Sequence, residues 1–435
     1  MKILNISNND FDGAGRAVLR LNESFIKLGY NSKFLVLYKK TCNKNIQSIS
    51  TGKSLREITK SIILNIFKVK KEVYFDFFFL FKAKIYSLIV NFRYSPKNLY
   101  NFYNIPFDFK HLQPHIVEAD VIILHSIQDM ISVEDIGKIC DVYKKKLVLH
   151  PLDMELITGG YHFSYDCNCY RTGKCNSKKH NLELLAKENY IKKVKVLNKL
   201  PCIWIASNNY VLNRIKNSKM FSKKNHSIDV VYFGIEENRY SFYEKKIAKK
   251  KLNISSKKNI LLFGCSDFGD LRKGTKVINN LLEKLNHSDV NLDSILLLTY
   301  GETNNFKVKN GRIEWVHLGT VNDSKKMNLI YRASDIMLSP SLDDLGPTTV
   351  QEAFLNDLYI ISFELGLAPD LIIHNYNGSI IKNFDNDKFY NAVYKKINET
   401  KVMKKNLINE KKINHIKNLC SRETEARSFI FKMND

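Results

Sequence analysis

Short, almost wholly apolar runs separated by segments of helical periodicity constrain this chain more than any other feature. In the first half they fall at residues 2–6, 121–124, 147–149, 203–205 and 230–232, and the first is followed by a glycine-containing loop and a periodic stretch over 16–28. A strand with one wet face alternates polar and apolar side chains, whereas these runs are apolar on both faces and demand helices on either side. That pattern predicts a parallel sheet. The second half begins the pattern again at 260–264 and continues it at 294–299, 314–318, 335–338 and 359–363, with helical patterns between, so a second sheet of the same kind is expected. Strand patterning stops and restarts across the charged stretch 236–258. The expected organisation is α/β: a Rossmann-like domain over 1–235, a linker region over 236–258, a second Rossmann-like domain over 259–415, and a terminal helix over 416–435 that can cross back to the first domain. Two such domains leave a cleft between them, and ligands of open parallel sheets bind beyond the carboxyl ends of the strands.

The chain has 435 residues, of which 68 are Lys or Arg and 44 Asp or Glu, a net charge of +24. Such a surface attracts nucleic acid, anionic lipid or a phosphorylated substrate alike. Nucleic acid is disfavoured, because Lys greatly outnumbers Arg, the usual reader of base edges, and no zinc-finger or RNP-type sequence accompanies the charge. Eight scattered cysteines do not make a disulfide scaffold and point to reduced thiols. The amino end meets Asn8, Asn9, Asp10 and Asp12 before any apolar signal core can form, and the aromatic run 77–81 is far shorter than the roughly 20 residues of a membrane-crossing helix. A cytoplasmic protein is expected.

Residues 53–97 depart from the alternation. They carry ten Lys or Arg against three acids, and polar positions Ser61, Asn65, Lys68, Glu72 and Asp76, then Lys84, Ser87 and Asn91, leave a wide apolar face with Phe67, Phe78, Phe81 and Ile85. This basic amphipathic insertion fits a helical hairpin packed into the first domain, or a peripheral helix on an anionic membrane surface; the two are compatible.

Three loops after strands carry residue types suited to binding. Asp12-Gly13-Ala14-Gly15-Arg16 opens a helix with small residues, as an anion- or acceptor-binding loop does and as an ordinary tight turn also does. Arg272 and Lys273, followed by Gly274 and a helix over 275–285, place two cations where a diphosphate leaving group could be neutralised, or simply a solvated charged loop. The third is Ser341-Leu342-Asp343-Asp344-Leu345-Gly346-Pro347 leading into a helix that contains Glu352. With Pro347 near the first turn, Glu352 lies on the helix and Asp344 in the loop, so the two carboxylates can address different parts of one elongated ligand; the plainer reading is helix capping by Asp343 or Asp344.

These motifs together resemble the retaining, nucleotide-sugar-dependent glycosyltransferases of family 4, which have two Rossmann-like domains facing a cleft (the GT-B type) and an acid-x7-acid motif in the second. His150-Pro151-Leu152-Asp153, Thr158-Gly159-Gly160-Tyr161-His162 and Asp166-Cys167 are similar to the HD…TGGCH…C segment of polysaccharide-assembling members; Arg272-Lys273-Gly274 to a phosphate-binding RKG; Ser341 through Pro347 to SLEDNLP; and Phe363 through Gly366 to a carboxyl-terminal glycine segment. The resemblance implies that Glu352 binds the nucleotide ribose, Asp344 orients donor-sugar hydroxyls, Arg272 and Lys273 hold the diphosphate beside Gly346, His150 faces the transferred sugar, and Gly13, Gly15 and Arg16 border the acceptor. It also implies retention of configuration, with the leaving phosphate helping to accept the acceptor's proton. The chain departs from the family at Cys265, Asn356 and the Pro151-Leu152 insertion.

His162, Cys167, Cys169 and Cys175 invite a metal reading, but Cys-x-Cys is not the usual zinc spacing, and Tyr161 and Ser177 stand where the resembling sequences suggest further cysteines. Free thiols and no metal are the expectation, and His125 at a strand end is read as a hydrogen-bonded structural group. The expected function is transfer of a sugar from a nucleoside diphosphate donor to a growing cell-surface or lipid-linked glycan, without a cofactor, at the inner face of a membrane. A nucleotide-sugar epimerase on the same scaffold and a non-catalytic partner subunit of a transferase are the rivals.

Overall fold

The computed structural model describes residues 1–49, 100, 109–165, 167–175, 181–236, 243–303, 307–399 and 406–434. The basic aromatic stretch 53–97 lies outside them. The chain divides into two units: Met1–Ser207, Val211–Gly234 and Arg422–Asp435 form the first, and Asn208–Tyr210 with Ile235–Ser421 the second.

In the first unit the strands are β1 (Lys2–Asn9), β2 (Asn31–Tyr38), β3 (Ile46–Ser48), β4 (Val121–Ser126), β5 (Lys146–Leu149), β6 (Cys202–Ala206) and β7 (His226–Val230). They form one sheet in the order β3-β2-β1-β4-β5-β6-β7, with every neighbouring pair parallel. The second unit has β8 (Asn259–Asp267), β9 (Ile295–Glu302), β10 (Glu314–His317), β11 (Ile336–Ser339), β12 (Tyr359–Phe363) and β13 (Gly378–Ile381), again all parallel, in the order β10-β9-β8-β11-β12-β13. Both sheets run outward from a first strand in two directions, so strand order reverses beside β1 and β4 in one and beside β8 and β11 in the other.

The apolar runs are strands because both their faces are covered. Residues 121–124 and 202–206 are buried without exception, as are 260–265 in β8. The run at 230–232 is displaced: β7 is His226–Val230, aligned Cys202↔His226 to Ala206↔Val230. As an edge strand, half-exposed at Ile228 and Asp229, it needs no apolar run, and Val231 and Phe233 instead enter the core beyond its end. β2, β3 and β13 were not among the expected strands.

Part of the stretch expected as a linker is structured. Lys245–Lys251 is a helix of the second unit, and its Lys249, only 4% exposed, donates to the Lys258 carbonyl at 2.6 Å and pairs with Asp335 at 3.2 Å. Near the carboxyl end the helix Arg422–Asn434 belongs to the first unit, where Phe429 meets Phe25 of the Gly13–Lys27 helix edge to face at 6.0 Å. Arg422 ties the same two helices by donating to Ser24 Oγ and the Arg20 carbonyl and pairing with Glu23.

Candidate functional site

The loops that follow β8 and β11 flank the reversal point of the second sheet. After β8 a single 3₁₀ turn, Leu271–Lys273, leads to Gly274 and the helix Thr275–Asn286. Gly274 has φ +80°, and a Cβ there would lie 2.0 Å from the Pro340 carbonyl oxygen, so the backbone after β8 presses directly on the backbone after β11. The contact is reinforced by Leu342 N–H donating to the Arg272 carbonyl at 2.7 Å. No side chain caps the Thr275–Asn286 helix or the Thr348–Leu355 helix, whose flanking residue is Pro347. Two helix amino ends therefore open near these loops, and the backbone N–H groups there favour an anion.

Lys273 and Asp344, brought together by this contact, form an ion pair at 2.5 Å with side chains 23% and 15% exposed. The other Asp344 oxygen accepts the Gly346 N–H at 3.1 Å. Burial would raise the Asp344 pKa, but the Lys273 charge and hydrogen bond, the Gly346 N–H and the Arg272 charge outweigh it and hold the carboxyl below its ordinary value. Arg272 pairs with Asp270 and donates to the Asp343 carbonyl at 3.3 Å. Arg272, Lys273, Asp344 and Gly346 are thus gathered in one place, a cationic pair beside a carboxylate whose charge is already balanced.

Glu352 lies on the Thr348–Leu355 helix, 4% exposed. Its carboxylate faces Tyr331, whose phenol is held far above its ordinary pKa by burial first and by the charge of Glu352 next; the Tyr331 hydroxyl also bonds Tyr300 at 2.9 Å. The simpler alternative of capping does not describe Asp344, because the side chain bonds Lys273 and Gly346 instead. Asn356, a departure from the family pattern, closes this helix: its side chain donates to the Glu352 carbonyl at 2.8 Å and accepts from Asn328 at 3.1 Å.

The remaining expected site residues belong to the first unit, on loops beyond β1 and β5. Asp12 caps the Gly13–Lys27 helix by accepting the Gly15 N–H at 2.7 Å. A Cβ on Gly15 would lie 2.3 Å from the Asn9 carbonyl oxygen, whereas one on Gly13 would meet nothing within 4 Å. Gly15 thus serves close packing of helix on strand, and Gly13 faces open space. Arg16 is exposed, with its Nε donating to the Phe11 carbonyl at 2.9 Å.

His150 is enclosed. Its Nδ1 lies 3.0 Å from Nδ1 of His125, whose Nε2 reaches Asn5 at 3.1 Å, and its ring is flanked by Phe233 and Phe429 at 5.9 and 5.1 Å. Burial pushes the His150 pKa down to about 3 and that of His125 well below its ordinary value, so both are neutral at physiological pH. His150 Nε2 is buried without a hydrogen-bond partner. His125 is a bonded, interior group, as its strand-end position led us to expect.

Other groups lie at this sheet edge, and of these Asp129 and Tyr38 escaped the sequence reading. Asp153 accepts the Glu155 N–H and pairs with His162 at 2.7 Å, and the carboxylates raise His162 against the downward pull of its burial. Asp129, in the loop after β4 with a left-handed φ of 60°, is raised by burial to about 6, and the Tyr38 phenol at the end of β2 is raised to about 12 by burial and then by Asp129. Asp129 and Tyr38 carried no motif; only the common direction of parallel strands brings them to one edge.

Residues 244–413 match the family model described as glycosyl transferases group 1. Among solved structures, the chain is similar to HepE of Anabaena in complex with UDP, at 12% identity, a TM-score of 0.62 and complete coverage of both chains. Sucrose-phosphate synthase of Thermosynechococcus elongatus is similar at 11% identity and TM-score 0.61, over 99% of this chain and 97% of that one. WaaG, a glycosyltransferase involved in lipopolysaccharide biosynthesis, is similar at 15% identity and TM-score 0.57, over 98% and 95%. The fold is of GT-B type. No curated protein sequence matches the chain. The residues that match the family model lie in the second unit, as do the gathered Arg272, Lys273, Asp344 and Gly346.

Proposed function

We propose that this protein is a retaining glycosyltransferase that moves a sugar from a nucleoside diphosphate donor to a growing cell-surface or lipid-linked glycan. The observation that carries the reading is the Lys273–Asp344 pair, set between two uncapped helix amino ends at the reversal point of the second sheet. An anionic donor would exchange this internal partner for its own: Lys273 turns to the diphosphate, and Asp344, released, accepts hydrogen bonds from sugar hydroxyls. Arg272 and the N–H groups of the following helix share the phosphate charge, and Glu352 takes the ribose diol.

Departure of the diphosphate breaks the bond between the anomeric carbon and the phosphate oxygen, leaving the electron pair on that oxygen. Arg272 and Lys273 stabilise the charge as it develops, which lowers the barrier only to the extent that they bind the departing form more tightly than the ground state. The acceptor hydroxyl then bonds to the same face of the anomeric carbon, and its proton passes to the departing phosphate oxygen. His150, neutral and enclosed, and the Gly13, Gly15 and Arg16 loop are assigned to the transferred sugar and the acceptor. No cofactor takes part in this scheme. UDP bound to HepE supports a nucleotide donor of this type.

The acceptor's membrane setting belongs to the same proposal, with the protein cytoplasmic and peripheral on the inner face of the membrane. The net charge of +24 and the basic aromatic sequence of 53–97 support it. No described helix is long and apolar enough to cross a membrane. The test is a screen of nucleotide sugars for thermal stabilisation: a donor at 100 times its Kd should stabilise by about 2.7 kcal/mol. Lys273→Ala and Glu352→Ala should abolish most of the shift, and an unchanged shift in both variants refutes the site.

A further inference from the structure

The thiols of Cys167, Cys169 and Cys175 all lie within 4.8 Å of one another, and all three residues are buried. Cys167 and Cys175 approach to 3.4 Å between sulfurs, while Cys169 hydrogen-bonds to both. The spacing in sequence argued against a metal, since Cys-x-Cys alone does not form a chelating loop. The backbone solves this differently. Cys169 begins a short helix, Cys169–Thr172, closed by Gly173 in a left-handed conformation with its N–H on the Cys169 carbonyl at 2.8 Å, and the turn swings Cys175 back against Cys167.

The surroundings fix the triangle from outside. Tyr161 sits among the three cysteines in one apolar cluster with Tyr100 and Leu182. Its hydroxyl accepts the Leu182 N–H at 2.8 Å, and the Tyr100 hydroxyl donates to the Gly159 carbonyl at 2.7 Å. The Tyr190 hydroxyl lies 2.9 Å from the Tyr170 carbonyl. Positive charge is close at hand: Arg171 and Lys174 lie in the same stretch of chain, and the Arg214 guanidinium stacks on Tyr170 at 4.9 Å while donating to Ser164.

We propose that Cys167, Cys169 and Cys175 bind one zinc ion as thiolates, with the fourth tetrahedral position held by a solvent or other exogenous ligand. At a zinc–sulfur distance of about 2.3 Å the sulfurs of a tetrahedral site stand about 3.8 Å apart, so the observed triangle needs only small side-chain adjustments to receive the ion. On binding, each thiol releases its proton to the medium as its sulfur bonds zinc, and the resulting net negative charge lies in a stretch of chain that also carries Arg171 and Lys174. Three buried sulfurs already gathered within 4.8 Å give the ion a largely preformed set of donors. The ion ties the loop that carries His162 to the helix Glu183–Leu197, through Tyr161 and Leu182.

The test uses the full chain purified under reductant without chelator. Elemental analysis should find about one zinc per chain, released by a mercurial reagent. Cys169→Ser and Cys175→Ser should each lose it, and Cys42→Ser, on an exposed cysteine, should keep it. Replacement by cobalt(II) should give a sulfur-to-cobalt charge-transfer band that Cys169→Ser lacks. Because the first count is made on the unaltered protein, it decides even if a variant misfolds. No zinc retained or taken up from micromolar solution, with all eight thiols titrating in denaturant, overturns the proposal, and so does a count two thiols short, which would signal a Cys167–Cys175 disulfide.

Discussion

Replacing Lys273 by methionine separates two consequences of one side chain. The methionine fills much the same volume but leaves Asp344 with only the Gly346 N–H and the nearby Arg272 charge. Breaking a fully buried pair costs about 3–5 kcal/mol, and a surface pair about 0–1 kcal/mol. With side chains 23% and 15% exposed the Lys273–Asp344 pair lies between these limits, and we expect a loss of about 1–3 kcal/mol in urea unfolding. Adding Asp344→Asn should restore most of it, because the stranded carboxylate is then gone. Binding should not recover. The double variant still lacks the ammonium that meets the diphosphate, a charge-assisted hydrogen bond worth about 1.5–3 kcal/mol, so calorimetry should find nucleoside diphosphates bound about ten- to a hundred-fold more weakly while nucleosides bind as before. If the single variant binds diphosphates with unchanged affinity, the donor assignment fails. If the double variant is no more stable than the single, the electrostatic account of the pair is wrong.

Gly274→Ala should destabilise the second unit by more than 1 kcal/mol in thermal or urea unfolding and weaken nucleotide binding, since both φ +80° and the Pro340 oxygen oppose a side chain; a fully stable variant contradicts the close approach of these loops. Glu425 is raised to about 7, first by burial, against the opposing charges of Arg20 and Arg422. The folded protein therefore keeps a proton that the unfolded chain gives up near 4.5, and this contribution to stability is complete below about 4.5 and lost as pH rises through 7. Glu425→Gln should accordingly gain on the parent protein between pH 5 and 8, by up to about 1.4 kcal/mol per pH unit, and a pH-independent difference would refute the shift. Lys193, fully buried against Glu155 at 3.2 Å and driven well below its ordinary pKa by burial, is expected to cost about 3–5 kcal/mol when changed to alanine, and a change under 1 kcal/mol in denaturant unfolding would show the pair is not needed.

Central strands were legible because their sequence and their burial say the same thing. β4, β5, β6, β8, β11 and β12 lie between helices and read as unbroken apolar runs. Edge and near-edge strands have less to show. β3 has three residues and β13 four, too short to carry a period, and β7 is polar because one side of it is open. Asn31–Tyr38 is different: Phe34 through Leu37 is an apolar run like the others, and its place beside β1 follows from the same logic.

In the candidate site, the loop position of Asp344 and the helical position of Glu352 could be read from Pro347. The bond from Lys273 to Asp344 could not, because it depends on two loops 71 positions apart meeting at Pro340 and Gly274. Sequence singled out Cys167, Cys169 and Cys175 together, but their spacing argued against a shared site, and the left-handed turn at Gly173 that brings the three sulfurs together was not legible.

The second unit interrupts the first. Residues 235–421 are threaded between Gly234 and Arg422, and the helix beginning at Arg422 supplies Phe429, which covers His150, and Glu425, which packs beside Gly234. A chain emerging from the ribosome thus makes the later domain before the earlier one is whole. Until those final turns arrive, His150 lacks the Phe429 ring that covers one side of it, so the first unit's completion waits on the last stretch of synthesis, and loss of that helix would harm the half of the protein that was made first.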